Sequence, residues 1–297
     1  MRYAVAHGRR SGRGGAAALG AAAVRRLRAA GHGVVEVEAS SLEEARAACE
    51  AVVADGVDVL AVAGGDGVVS MATDLCAGTD TAVGILPAGT GNDNARSLGI
   101  PLDADGALEV LLRGHTRRVD ALHLPDLDRH VLGSVNAALD ARIAHRATRL
   151  PRVLGAASYT VAALAEIALL PWRDAPTYRI TADGSTTEVE ALVVTVTNMA
   201  YLGGGLRLSP FSDPADGLLD LVVIGRVGPV EALGLLRDVR AGRASTHPAV
   251  TVTPVRSVRV EGPADVLVHG DGEAIAPLPL SVRVDPSALR VVAPPLA

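Results

Sequence analysis

The chain has 297 residues, room for two domains, and 49% of them are hydrophobic while only 2% are aromatic, so Val, Leu, Ile and Ala must fill the core. A net charge of −5 with no basic tract argues against a nucleic-acid backbone as partner. All 28 basic residues are arginine, which disfavours P-loop kinases, protein kinases and pyridoxal enzymes, each of which needs a lysine at its site.

In chain order, residues 3–6 read as a strand and a Gly/Arg/Ser loop leads to an Ala-rich helix over about 16–30. Residues 34–37 form the next strand, and Ser41 with Glu44 three positions on reads as a capping box opening a helix to about Ala54. The apolar run 57–63 ends in glycines, and 82–86 repeats that pattern before Pro87, as expected of buried parallel strands. This alternation predicts a doubly wound parallel α/β domain over residues 1–120. Beyond it, strand-like runs at 131–135, 177–181, 189–197, 218–224, 250–253, 255–260, 266–269 and 280–284 are punctuated by Asp-Gly turns, with helices only near 159–170 and 230–241. Residues 121–286 are therefore expected to form a β-rich, sandwich-like domain, with residues 287–297 returning to the first domain and a substrate cleft between the two. The apolar stretch 153–172 is broken by Glu166 and Pro171 and reads as a core helix, not a membrane span. Cys49 and Cys76 lack CxxC spacing and read as buried, reduced thiols, so a soluble cytoplasmic protein is expected.

Two loops carry the chemistry. Gly64-Gly65-Asp66-Gly67 follows a strand directly; the glycines let backbone N–H groups approach a phosphate, and a carboxylate there makes sense with Mg²⁺ beside it. Gly89-Thr90-Gly91-Asn92-Asp93 follows the next strand, with Thr90 and Asn92 offering hydrogen bonds, while Asp93 either caps the following helix or joins a metal site. Loops at the ends of successive parallel strands put ligand at the carboxyl edge of the sheet. Asp271-Gly272-Glu273 is either a plain turn or a catalytic element. On an extended strand its two acids would share one side, an argument that fails if the segment is a tight turn.

Gly64-Gly65-Asp66-Gly67 and Pro87-Ala88-Gly89-Thr90-Gly91-Asn92-Asp93-Asn94-Ala95-Arg96 together resemble the diacylglycerol kinase catalytic family, which includes bacterial lipid kinases and sphingosine kinases. The resemblance extends through Asn136, Asp140-Ala141, Ser158-Tyr159, Asn198, Gly203-Gly204-Gly205, Pro210, Asp216-Gly217-Leu218-Leu219-Asp220 and Asp271-Gly272-Glu273. It implies an ATP-dependent, Mg²⁺-assisted kinase acting on the hydroxyl of a lipid such as diacylglycerol. Nucleotide contacts are implied at Gly64, Gly65, Asp66, Gly67, Val68, Val69, Ser70, Gly89, Thr90, Asn92, Asp93 and Ser11. A Mg²⁺ in the second domain is implied at Asp216 with backbone carbonyls near Asp213 and Leu218, and Glu273 is the implied general base, with Asp271 and Asp66 in support.

Two positions depart from the family pattern. His7-Gly8-Arg9-Arg10-Ser11-Gly12 stands where the family has Asn-Pro-x-Ser-Gly, and Val68 stands where it has Thr. These changes keep three alternatives in view: a kinase for a sphingoid base, a kinase for a small non-lipid alcohol, or an inactive nucleotide-binding homologue. NAD kinase shares the GGDG loop but not the remaining motifs. A homodimer touching the membrane surface only transiently is the expected state.

Overall fold

The computed structural model describes residues 1–9, 15–151, 154, 157–170, 175–264 and 266–295. The chain folds as two compact units, Met1–Ala121 with Ser287–Ala297, and Leu122–Pro286.

The first unit runs β1 (Arg2–Gly8), α1 (Gly15–Ala29), β2 (Gly33–Ala39), α2 (Leu42–Ala54), β3 (Val59–Gly64), α3 (Asp66–Cys76), β4 (Ala82–Pro87), α4 (Asp93–Ser97), α5 (Ala104–Arg113) and the start of β5 (Thr116–Leu124). Its strands are parallel in the order β2-β1-β3-β4, and the last residues of the chain's final strand add to β4 at Arg290–Ala82. Helices α1 and α5 pack together, as do α2 and α3, so the sheet is covered on both faces. That is why β3 and β4 read as unbroken apolar runs: every residue from Val59 to Ala63 and from Ala82 to Pro87 is buried. The predicted cap is present, with Ser41 Oγ accepting from Glu44 N at 3.1 Å and Glu44 Oε2 accepting from Ser40 N at 2.7 Å. Helix α5 has its own cap in Asp103, which accepts from Gly106 N at 2.8 Å. Cys49 and Cys76 are free and buried.

The second unit continues with β6 (Arg129–Val131), β7 (Ser134–Ala138), α6 (Leu139–Arg149), α7 (Ala157–Leu169), β8 (Thr177–Ala182), β9 (Ser185–Thr197), β10 (Tyr201–Leu202), β11 (Leu206–Arg207), β12 (Leu219–Gly225), α8 (Pro229–Arg240), β13 (Val250–Val255), β14 (Ser257–Glu261), β15 (Leu267–Gly270), β16 (Glu273–Pro277) and β17 (Leu280–Val292). Strand β9 serves two layers. Its first residues pair with β8, which continues through β14 to the start of β17; its later residues pair with β7 and β12. Side chains from both layers, among them Tyr178, Val194, Val258, Val268 and Leu280, form one core. Leu221 of β12 joins that core, whereas its neighbours Val222 and Ile224 pack with Ile167 of α7 and Leu235 of α8.

Several elements depart from the sequence reading. The run 131–135 is not one strand: it breaks at Leu132-Gly133, where the chain gives its backbone N–H groups to a side chain from a distant turn. Helix α6 and strand β16 were not anticipated. Strand β17 is 13 residues long where only 280–284 was expected. Among the described residues, no helix is long and apolar enough to cross a membrane.

Candidate active site

In the first unit, β1 lies between β2 and β3, so the chain leaves it in opposite directions and a crevice opens at the carboxyl ends of the strands. A cavity of about 690 Å³ occupies that edge. His7, Gly8 and Arg9 line it from β1, Ser40 and Ser41 from the start of α2, and Gly64, Gly65 and Val68 from the glycine turn.

The two glycine loops touch. Gly64 O accepts from Ala88 N at 2.8 Å, in register with the Gly64–Pro87 pairing of β3 and β4. A Cβ on Gly89 would lie 2.3 Å from Gly65 Cα, a contact only two glycines allow. Asp66 and Gly67 are not loop residues but the first residues of α3, and Asp66 Oδ1 accepts from Asn94 N at 3.2 Å at the start of α4. Burial, and then the charge of Asp93, push the Asp66 carboxyl up to about 6, despite N–H donation from Asn92, Asp93 and Asn94.

The predicted nucleotide residues divide. Gly64, Gly65 and Val68 line the cavity, and Thr90 is exposed on the second loop. Asn92, with φ 54, turns inward: its Oδ1 accepts from Gly89 N and its Nδ2 donates to Gly89 O, both at 2.9 Å, so it holds the loop's shape. Asp93 is the first residue of α4 and Asn92 is its N-cap residue, so Asp93 is not the cap itself. Val69 and Ser70 are buried in α3, where helical rotation carries them away from the turn, and their side chains are not available to a ligand. Ser11 lies outside the described residues.

In the second unit, Asp271 and Gly272, with φ of 48 and 86, form the two-residue turn joining β15 to β16, and Gly270 pairs with Glu273. The same-side argument for the two acids therefore fails, because the chain reverses between them. Asp271 is buried. Its Oδ1 accepts from Gly133 N and Ser134 N at 3.0 Å, and its Oδ2 accepts from Leu132 N at 3.3 Å. Glu273 is half-buried at the start of β16 and has no side-chain hydrogen bond among the described residues. Tyr159 stands against this turn and against the triple-glycine loop: a Cβ on Gly272 would lie 3.5 Å from its hydroxyl, and one on Gly203 would lie 3.3 Å from its ring.

Asp213, Asp216 and Leu218 line a smaller cavity of about 230 Å³ together with Asp220. Asp216 Oδ1 accepts from Leu218 N at 2.9 Å and Asp213 Oδ1 from Ala215 N at 3.0 Å, leaving each acid a second oxygen. Asp220 Oδ2 accepts from Ser209 Oγ at 2.7 Å and from Ser212 Oγ. An aspartate-lined cavity with oxygen donors suits a hard cation such as Mg²⁺. The carboxylates of Asp213, Asp216 and Asp220 do not gather as one cluster. Ser209 and Ser212 were missed by sequence reasoning, since hydroxyls in a loop carry no signal until their partner is known.

The first unit is a doubly wound α/β unit with paired glycine loops, and the second is a sandwich-like β-rich unit. Residues 2–124 match the diacylglycerol kinase catalytic domain, and residues 133–293 match the YegS C-terminal NAD kinase beta sandwich-like domain. The chain is 36% identical over 290 residues to a diacylglycerol kinase of Mycobacterium tuberculosis, covering 96% of this chain and 92% of that one. It is 25% identical over 260 residues to a diacylglycerol kinase of Staphylococcus aureus, covering 86% and 81%. A crystal structure of a diacylglycerol kinase from Bacillus anthracis superimposes with a TM-score of 0.74 at 20% identity, covering 99% of this chain and 97% of that one, and shows the shared fold. This chain belongs to the diacylglycerol kinase catalytic-domain family.

Proposed function

We propose that this protein transfers the γ-phosphoryl group of ATP to the hydroxyl of a diacylglycerol-type lipid, with Glu273 as general base. The observation that carries this reading is the division of labour in the Asp271–Glu273 turn. Asp271 commits its carboxylate to three backbone N–H groups, whereas the half-buried Glu273 has no hydrogen-bond partner among the described residues, so its lone pairs are open to a proton. The names of the relatives support the lipid acceptor.

The glycine turn at Gly64 and Gly65 would receive phosphate on its backbone N–H groups, and the cavity beside it would hold the rest of the nucleotide. As the acceptor oxygen bonds to the γ-phosphorus, the bridge to the β-phosphate breaks, ADP leaves, and Glu273 accepts the hydroxyl proton. Asp66 is suited to a cation near the phosphates, because a positive charge beside it would offset the burial that favours its neutral form. Asp216, with its neighbours Asp213 and Leu218, would hold a second Mg²⁺ whose part is to brace the loop. When bound, Mg²⁺ supplies charge neutralisation for the phosphates.

The test is transfer of labelled γ-phosphate from ATP and Mg²⁺ to diacylglycerol in mixed micelles, beside sphingoid bases and soluble alcohols. Phosphatidic acid should form, and Glu273→Gln should cut turnover by about 10²-fold or more while leaving ATP affinity intact. Transfer only to another alcohol would refute the lipid assignment. Undiminished turnover in Glu273→Gln would refute the base.

A further inference from the structure

Strands β1 and β2 run parallel, with Val5 opposite Glu36 and His7 opposite Glu38. Partners in register point to the same side of a sheet, and so do residues two apart on one strand, so His7, Glu36 and Glu38 share a face. One nitrogen of His7 and one carboxylate oxygen of each glutamate all lie within 4.8 Å of one another, the one such grouping of His, Cys, Asp or Glu among the described residues. His7 Nε2 and Glu36 Oε1 are 3.2 Å apart. Tetrahedral ligands of one ion stand about 3.4 Å apart when their bonds are about 2.1 Å long, so this pair already has the separation of two ligands. The Glu38 side chain is half exposed and can turn its carboxylate to a third position.

The histidine is built into the fold. It is 6% exposed, and its ring lies against Gly20 of α1, where a Cβ would stand 2.4 Å from His7 Cδ2. Glycine inside a helix is unfavourable, and here it makes room for an imidazole. Nδ1 is buried with no hydrogen-bond partner among the described residues, so no second bond pins the tautomer and Nε2 can turn its lone pair to an ion. Two arginines stand on the outer oxygens: Arg28 lies 4.0 Å from Glu36 Oε2, and Arg9 lies 3.6 Å from Glu38 Oε2. Both arginine side chains are more than half exposed and both distances exceed a hydrogen bond, so each glutamate keeps its other oxygen for the site.

We propose that His7, Glu36 and Glu38 bind a divalent transition cation of the Zn²⁺ type, with water completing its shell. One imidazole nitrogen with two carboxylate oxygens suits Zn²⁺, whereas Mg²⁺ takes oxygen ligands. The ion would tie β1 to β2 where their carboxyl ends lead into Arg9 and Ser40 at the rim of the larger cavity, whether or not that cavity takes nucleotide. The test is calorimetric titration of the full chain with Zn²⁺, after stripping with a chelator and dialysis, for the wild type, Glu36→Gln/Glu38→Gln, His7→Gln and His247→Gln. Wild type should take up one Zn²⁺ that excess Mg²⁺ does not displace, and its melting temperature should rise. The paired glutamines should weaken binding about tenfold or more and remove the melting shift, and His7→Gln should do the same. Both glutamates are exposed, so their variant decides the matter even where His7→Gln does not fold. His247→Gln alters an imidazole paired with Glu231 and should bind as wild type does. No saturable Zn²⁺ uptake by wild type, equal uptake by wild type and the paired glutamines, displacement by Mg²⁺, or an equal loss in His247→Gln would each overturn the site.

Discussion

Replacing Asp271 separates a bracing role from a catalytic one. Its carboxylate accepts from the N–H groups of Gly133 and Ser134 at 3.0 Å, and more weakly from that of Leu132 at 3.3 Å. A buried donor left unsatisfied costs about 1–3 kcal/mol. Asp271→Ala strands two well-made bonds and one marginal one, and it also places a non-glycine residue without a polar side chain at φ 48, which costs about 1 kcal/mol more. The expected loss is about 3–6 kcal/mol, a large share of a typical 5–15 kcal/mol total. Asp271→Asn tolerates the left-handed conformation and keeps one acceptor oxygen for Gly133 and Ser134, but turns an amide donor toward Leu132, so about 1–2 kcal/mol is expected. Glu273→Gln touches none of these bonds and should stay within about 0.5 kcal/mol of wild type. Urea unfolding followed by circular dichroism, with the slope checked for constancy, gives all three. An Asp271→Ala protein within about 1 kcal/mol of wild type would refute the bracing role, because three buried N–H groups cannot lose their acceptor at no cost.

Other perturbations test the remaining geometry. Gly89→Ala should lower ATP affinity at least about tenfold by calorimetry, since its Cβ would lie 2.3 Å from Gly65 Cα and must push the loops apart. Asp66 has its folded pKa raised to about 6, so the folded state holds this proton more tightly than the unfolded state does. Its unfavourable contribution is absent below the unfolded value near 4 and grows as pH rises to about 6. Asp66→Asn should therefore gain stability relative to wild type across that window, by about 1–2 kcal/mol after allowance for solvent screening, and an unchanged difference between pH 4 and 7 would refute this. Mg²⁺ without nucleotide should raise the wild-type melting temperature and do so less for Asp216→Ala; equal shifts would remove Asp216 from the metal site. Burial pushes the Cys49 and Cys76 thiols up to about 11 and about 12, so neither should react with a thiol reagent until the protein unfolds.

Much of the first unit could be read directly because its signals are local. Runs such as 82–86 are apolar because both faces of their strand are covered, and Ser41 announces α2 through bonds that span only four residues. The glycine pairs were legible for the same reason: a turn that needs backbone close to backbone admits few residue types. The order of motifs identified the family before any coordinate. What sequence left open were the roles of polar residues whose partners lie far along the chain. Whether Asp271 acts on substrate or holds backbone depends on Leu132, Gly133 and Ser134, 137–139 positions away. Asn92 offers the same side chain whether it faces a ligand or, as here, Gly89; Ser70, a nucleotide contact implied by the family resemblance, is buried in α3. A residue's chemistry belongs to its type and is written in the sequence, but a hydrogen bond is set by distance and direction, and only the tertiary structure supplies those.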